Sequence, residues 1–260
     1  MGLIRTLIER LTLKPYRGQL LAAMLENTAA INDLRHQLFI EKPVALIRNT
    51  KIYLPLFYVD HIQSQIHQNK DFYERDTLDF LKLHYKSLPF IIDIGSNIGN
   101  HALYFVSQLR AKRVECFEPN KKTFETLEKN IEINAYNDIV KAHNKALGSK
   151  SSYGIEKGYT VFNTGLNSID ETTKTGDTNL ISVCKLDDFG YEAVNLLKID
   201  VEGHELEVLK GAEETIRSSK PIILIEAFEG NLNRVETLLD SFEYKIFFRP
   251  EKDNYIFVPF

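Results

Sequence analysis

One stretch constrains this chain more than any other. The apolar run Phe90-Ile91-Ile92 passes through Asp93-Ile94 into Gly95-Ser96-Asn97-Ile98-Gly99 and then into Asn100-His101, with Ala102, Leu103, Phe105, Val106 and Leu109 at helical spacing. A strand, a two-glycine turn and a helix start in that order form a ligand cradle, because the first N–H groups of a helix have no partner inside it. Strands alternating with helices in this way predict an α/β domain built on a largely parallel sheet.

The glycine spacing bears on which ligand the cradle takes. A dinucleotide site uses Gly-x-Gly-x-x-Gly, whose middle glycine lets the backbone close on a pyrophosphate. Here Ser96-Asn97-Ile98 separates Gly95 from Gly99, so that middle glycine is missing. A cofactor without phosphates fits better, and S-adenosylmethionine (SAM) is such a molecule. Its carboxylate can sit on free helix N–H groups while Asp93 faces its amino group.

Two further strand ends carry acids. Arg113-Val114-Glu115-Cys116-Phe117 reads as a strand, and Glu118 stands at its end. That is about 20 residues beyond the glycine turn, where an acid accepts hydrogen bonds from a ribose diol. Glu118 also suits the start of the helix opened by Pro119-Asn120, where negative charge is stabilising. Asn195-Leu196-Leu197-Lys198-Ile199 is a third apolar strand ending at Asp200, and Leu206, Leu209, Ala212 and Ile216 mark one face of the helix after it. Ligands of open parallel sheets lie beyond the carboxyl ends of the strands, so Asp93, Glu118 and Asp200 should share one crevice. Glu202 and Glu205 sit near a helix start, which explains them without chemistry as readily as with it.

The runs Ile92 to His101, Cys116-Phe117-Glu118-Pro119-Asn120 and Leu197-Lys198-Ile199-Asp200-Val201-Glu202-Gly203-His204-Glu205 resemble the FkbM-type SAM-dependent methyltransferases. Tyr73-Glu74, Asn130, Asn134, Ala146-Leu147-Gly148, Leu186-Asp187-Asp188 and Glu226 after Ile222-Ile223-Leu224-Ile225 add to the likeness, which extends from Tyr73 to Phe260. The resemblance implies a class I methyltransferase, Rossmann-like fold: a seven-stranded sheet with one antiparallel strand. It also implies O-methylation of natural products or sugars, with the acceptor left open.

A methyl group moved from a sulfonium to a hydroxyl needs in-line positioning and a base for the hydroxyl proton. Asp200 is the first candidate base, with His204 and Glu226 behind it. The cofactor set is Asp93, Gly95, Asn97, Gly99, His101, Glu118 and, on the adenine side, Asn144. No metal is assigned, since His204-Glu205-Leu206-Glu207-Val208 carries valine where a zinc His-Glu-x-x-His motif needs histidine. Two rival classes use the same residues: a nicotinamide-dependent oxidoreductase, and a non-catalytic SAM-fold assembly partner.

The 32 basic and 36 acidic side chains nearly balance, and no dense basic stripe is interleaved with aromatics, which argues against a nucleic-acid substrate. The expected acceptor is a small molecule or glycan. Cys116 and Cys184 lie in apolar runs and read as buried thiols, consistent with a cytoplasmic location.

The remaining segments frame the core. Residues 1–43 read as an N-terminal helical extension, with Leu3, Leu7 and Leu11 and then Leu20, Met24, Ile31, Leu34 and Leu38 at helical spacing, and 44–260 as the methyltransferase domain. The extension is too charged and too short for a span or a signal peptide. It could pack on its own domain, dimerise, or touch an anionic membrane surface. Val44 to Leu56 reads as a hairpin about Arg48-Asn49-Thr50, and Asp60 to Gln68 and Arg75 to Tyr85 as helices, the second with Leu78, Phe80, Leu81 and Leu83. Ser149 to Asp177 is polar and irregular, and reads as a substrate-facing hairpin or lid, or as a tolerated insertion. A final helix, then strands Tyr244 to Phe248 and Tyr255 to Val258, should close the sheet.

Overall fold

The computed structural model describes residues 43–157, 168–172 and 180–260. The expectations for residues 1–42, including a homodimer through the N-terminal helices and peripheral membrane contact, lie outside the described residues. Among the described residues, no helix is long and apolar enough to cross a membrane.

The chain runs β1 (Val44–Ile47), β2 (Thr50–Tyr53), α1 (His61–Asn69), α2 (Arg75–His84), β3 (Phe90–Ile94), α3 (Asn100–Ser107), β4 (Arg113–Phe117), α4 (Lys121–Ile133), β5 (Val140–His143) and β6 (Ala146–Leu147). It continues with β7 (Ser152–Lys157), β8 (Ser168–Thr172), β9 (Leu180–Cys184), β10 (Leu196–Ile199), α5 (Glu205–Lys210), α6 (Glu213–Ser219), β11 (Ile222–Glu226), α7 (Glu229–Asp240), β12 (Tyr244–Glu251) and β13 (Asn254–Pro259). Seven strands form the main sheet in the order β12-β13-β11-β10-β3-β4-β5. Only β13 runs against its neighbours, pairing antiparallel with both β11 and β12. This is the expected class I methyltransferase sheet.

The period of two along each strand sorts the side chains into two cores. Ile91, Val114, Cys116, Val140, Leu196, Leu224 and Ile256 pack with α3, α4 and the β1-β2 hairpin. Ile92, Phe117, Leu197, Ile199, Ile223, Ile225 and Phe257 pack with α5, α6 and α7 on the other face. Both faces of the central strands are covered, which is why they read as continuous apolar runs rather than as alternation.

Register then places the polar residues. Lys198 pairs with Asp93 across β10 and β3, and Ile199 pairs with both Ile94 and Ile225. Side chains two apart share a face, so Asp93, Lys198 and Asp200 point to the α3 side, and the next rung brings Glu226 beside Asp200. The carboxyl edge of the sheet thus gathers charge on one face only.

The hairpin is tied to this frame by two amides. Arg48 and Asn49 have φ of 46° and 67°, the left-handed pair that a two-residue hairpin turn requires. Asn130 Oδ1 accepts from Tyr53 N at 2.6 Å and its Nδ2 donates to Tyr53 O and Ile98 O, while Asn134 brackets Lys51 in the same way. Four residues of helix rise about 6 Å and two residues of strand about 6.8 Å, so amides one turn apart on α4 can stand in for a neighbouring strand.

Four sequence expectations are corrected. Leu83 is 80% exposed, because the buried stripe of α2 is Thr77, Leu78 and Leu81. The helix after Asp200 is two helices, α5 and α6, broken at Gly211, where a Cβ would stand 2.0 Å from the carbonyl oxygen of Gly148. Strand β12 extends through Pro250 to Glu251, since it is an edge strand with register shifts that tolerate a missing N–H. Cys184 is only partly buried, although both cysteines are free thiols as read. The polar insertion holds β7 and β8, which join the flanking β6 and β9 in a second sheet of order β6-β9-β7-β8. The tip residues 158–167 and the stretch 173–179 lie outside the described residues.

Removing the Asn130 amide leaves the buried Tyr53 and Ile98 backbone groups without it. Asn130→Ala should cost about 2–3 kcal/mol in urea unfolding, and Asn134→Ala, nearer the surface, clearly less.

Candidate functional site

The glycine loop is shaped by contact rather than by flexibility. Gly95 has φ +76°, and a Cβ there would stand 1.7 Å from the carbonyl oxygen of Asp200. Gly95 N and Ser96 N both donate to Phe117 O, at 2.9 and 3.1 Å. Gly99 caps α3 at φ +88°, with Leu127 where a Cβ would point. The loop is therefore wedged between the ends of β10 and β4, and the N-terminus of α3 faces the cavity they leave.

Glu118 lines that cavity and is itself held by the loop. Its Oε2 accepts from Asn97 N at 2.9 Å and its Oε1 from Asn120 N at 2.9 Å. Asn97, at φ +49°, also lines the cavity and accepts from Ile98 N. Phe117, Pro119, Ala146 and Leu147 form an apolar wall beside Glu118. Phe117 is stiffened by stacking on His143, whose Nε2 is 2.7 Å from Glu115.

Asp93 is placed differently from the expectation. It is fully buried, does not line the cavity, and its Oδ1 is 3.3 Å from Lys198 Nζ. Strand register sets Lys198 directly beside it, and the lysine is what reaches the cavity. Asn144 also stays outside, because its amide donates to the backbone oxygens of Glu118 and Pro119.

The opposite wall is acidic. Asp200 Oδ2 accepts from Lys198 at 3.2 Å, and Glu226 lines the cavity from the neighbouring strand, one rung beyond the Ile199–Ile225 pair. Burial, then the nearby Asp200 charge, holds the Glu226 carboxyl well above the usual range. Glu202, at φ +51°, is pushed up to about 8 by burial and by Asp200 and Glu205. Burial opposes the charge on Lys198, yet Asp200, Asp93 and Glu74 outweigh it and raise its pKa. His204 lines the cavity as the residue before α5, whereas Glu205 is turned away to accept from Gly203 N and Asn231.

Three residues at the rim were given no chemical role from sequence. Lys198 is one, and its only signal was a charge inside an apolar central strand. Tyr73 and Glu74 are the others, a strap across the carboxyl edge. Tyr73 N donates to Asn100 Oδ1, and the Asn100 amide donates back to Tyr73 O. Glu74 lies 3.0 Å from His101 Nε2 and accepts from Asn254 at 2.8 Å. Although burial opposes it, the His101 contact, Lys198 and Asn254 keep the Glu74 carboxyl below its ordinary value. His101 is thus engaged by the strap while lining the cavity with the glycine loop. Burial and the surrounding acids push the Tyr73 phenol up to about 12. Among the described residues, no group of three His, Cys, Asp or Glu is arranged to hold a metal ion.

Comparison with known proteins matches residues 93–246 to the family described as the methyltransferase FkbM domain. The chain belongs to the FkbM methyltransferase family. It is 30% identical over 176 residues to Methyltransferase 1 of Beauveria bassiana, covering 58% of this chain and 70% of that one. It is 32% identical over 152 residues to the hexuronic acid methyltransferase AglP of Haloferax volcanii, covering 58% and 61%. Among solved structures, the FkbM methyltransferase of Methylobacillus flagellatus aligns at 22% identity and a TM-score of 0.49, over 66% of this chain and 44% of that one. The matched segment runs from Asp93 near the end of β3 to Ile246 in β12, so it contains the carboxyl ends of the strands that border the cavity.

Glu202 supplies a pH test of this electrostatic description. Its carboxyl holds a proton up to about 8 when folded and up to the ordinary 4.5 when unfolded, so between those limits the folded state binds more protons and loses stability as pH rises. Denaturant titrations at pH 5 and pH 8 should show this loss, and Glu202→Gln should flatten the dependence by being relatively more stable at pH 8.

Proposed function

We propose that this methyltransferase takes SAM as its methyl donor and methylates a hydroxyl oxygen on a sugar, a glycan or a small natural product. The observation that carries the reading is the division of one cavity into two chemically distinct walls. Glu118, the amides at the start of α3 and the apolar Phe117-Leu147 wall suit a nucleoside with an amino-acid tail. Asp200 and Glu226 stand on the other wall, where a proton must be removed.

The residues fit the donor group by group. The carboxylate of Glu118 lines the cavity where a ribose diol would lie, the N–H groups of Asn100, His101 and Ala102 can receive a carboxylate, and Leu147 and Phe117 can flank a purine. When bound, SAM supplies an electrophilic methyl group.

The chain's own contribution is position and proton transfer. A neutral hydroxyl is a weak nucleophile, and a carboxylate within reach accepts its proton as the new bond forms. Asp200 serves as that base, since it lines the cavity with 28% of its side chain exposed and its neighbour Lys198 fixes its position at 3.2 Å. Tyr73 keeps its proton at neutral pH and, with His204, offers donors that orient an acceptor. A sugar acceptor is supported by the name of the Haloferax volcanii relative, a hexuronic acid methyltransferase.

Calorimetry with SAM, S-adenosylhomocysteine and NAD tests the cofactor. SAM and S-adenosylhomocysteine should bind, and saturation at 100 times Kd should add about 2.7 kcal/mol of stability. Binding of NAD alone would overturn the reading. Glu118→Ala should weaken SAM at least about tenfold through loss of charge-assisted hydrogen bonds. Asp200→Asn should leave SAM affinity within a few-fold while slowing methyl transfer by roughly 10²-fold or more.

A further inference from the structure

Glu74 in the strap behaves unlike an ordinary residue at a helix start. It directly precedes α2, yet its side chain makes no cap hydrogen bond to that helix, and its backbone sits at φ 54° and ψ 40°. The left-handed region is unfavourable for a residue with a side chain, and such residues gather at ligand clamps. Side chains at this position ordinarily serve the first N–H groups of the helix they precede. The carboxylate of Glu74 is turned to the cavity instead.

What holds it there is the start of α3. Asn100, the first residue of that helix, accepts from Tyr73 N at 3.0 Å and donates to Tyr73 O at 3.1 Å, so the strap is pinned to α3 through its backbone. Glu74 Oε2 lies 3.0 Å from Nε2 of His101, the second residue of α3, and Oε1 accepts from Asn254 Nδ2 at 2.8 Å. These contacts engage each oxygen once, and a carboxylate oxygen accepts more than one hydrogen bond. The side chain is only 13% exposed, and an imidazole carries charge only when protonated. A second, permanent cation at this carboxylate would therefore be well compensated.

An α-amino acid carries its carboxylate and its ammonium on one carbon. A tail whose carboxylate sits on the free N–H groups of α3 presents its ammonium beside that same helix start. Asp93 does not meet it there, because its carboxyl is fully buried against Lys198 and does not line the cavity. We propose that Glu74 binds the α-ammonium of the methyl donor, so that the strap and α3 together grip its zwitterionic end. Asn100 and Asn254 are then positioning residues, holding the strap and the carboxylate in place. The inference rests on the reading of the donor as SAM and deepens it.

The test is calorimetry on the full chain with two ligands: S-adenosylhomocysteine, and its deamino counterpart, the same adenosyl thioether with a butyrate tail. Wild type should bind S-adenosylhomocysteine at least about tenfold more tightly than the deamino ligand. Glu74→Gln, which keeps the length of the side chain, should lose at least about tenfold toward S-adenosylhomocysteine while staying within about threefold of wild type toward the deamino ligand. Asp200→Asn should retain the wild-type preference. If circular dichroism shows Glu74→Gln unfolded, Glu74→Asp, which withdraws the charge by one methylene, takes its place with the same selective loss expected. Equal loss toward both ligands in the folded variant gives the strap a structural role only and overturns the proposal, as does an unchanged preference. Disappearance of the preference in Asp200→Asn overturns it as well, by assigning the ammonium to Asp200. A wild type that binds neither ligand strikes the reading of the donor itself, whereas one that binds both equally strikes only the role of Glu74.

Discussion

The approach of Gly95 to the carbonyl oxygen of Asp200 is the contact on which the rest of the site depends. Strand order reverses between β3 and β10, and that is where an open parallel sheet leaves a crevice at its carboxyl edge. The loop leaving β3 must cross this point without a side chain, since a Cβ would sit 1.7 Å from Asp200 O. Once the loop is seated, Asn97 N reaches Glu118 and α3 starts at the cavity. The glycine is required by packing against a neighbouring strand as much as by the turn itself.

Charge in the site follows from the same geometry. A lysine in a central strand would be very unfavourable alone, because an uncompensated buried ion is strongly destabilising. Here strand pairing supplies Asp93, the strand end supplies Asp200, and the loop supplies a carbonyl. Around this ion the remaining acids settle according to burial. Glu118 is held by backbone amides and Glu74 by His101 and Asn254, while burial and neighbouring acids raise Glu202 and Glu226. One wall of the cavity carries fixed donors and acceptors, and the other carries the acids whose pKa values burial raises.

Elements outside the strand-loop-helix core serve as supports. Asn130 and Asn134 extend the edge of β2 by side-chain amides, and Asn130 also holds Ile98 in the glycine loop. Asn100 and Asn254 clamp the Tyr73-Glu74 strap from α3 and β13. Each of these asparagines satisfies backbone or carboxylate groups that would otherwise be unpaired at the ends of strands and helices. The hairpin and first helices thereby become part of the rim of the cavity rather than an appendage.

Much of this was readable from residues alone, because it depends on local pattern. Apolar runs ending in Asp93, Glu118, Asp200 and Glu226 marked four strand ends, the spacing of Gly95 and Gly99 marked the turn, and the final antiparallel pair followed from two short strands after the last helix. Which acids reach the cavity was not readable, because that depends on lateral register. Asp93 and Asp200 look equivalent as strand-end acids, yet pairing sets Lys198 beside the first and leaves the second open to the cavity. In the same way Glu202 and Glu205 look alike at a helix start, and only the path of the turn sends one to the cavity and the other to Gly203 N and Asn231. Sequence by itself determined the strands, their cradle and the family, since those are set by periodicity and steric limits within a few residues. The tertiary structure alone decided which charges meet, since side chains far apart in the chain acquire partners only when strands align and water is excluded.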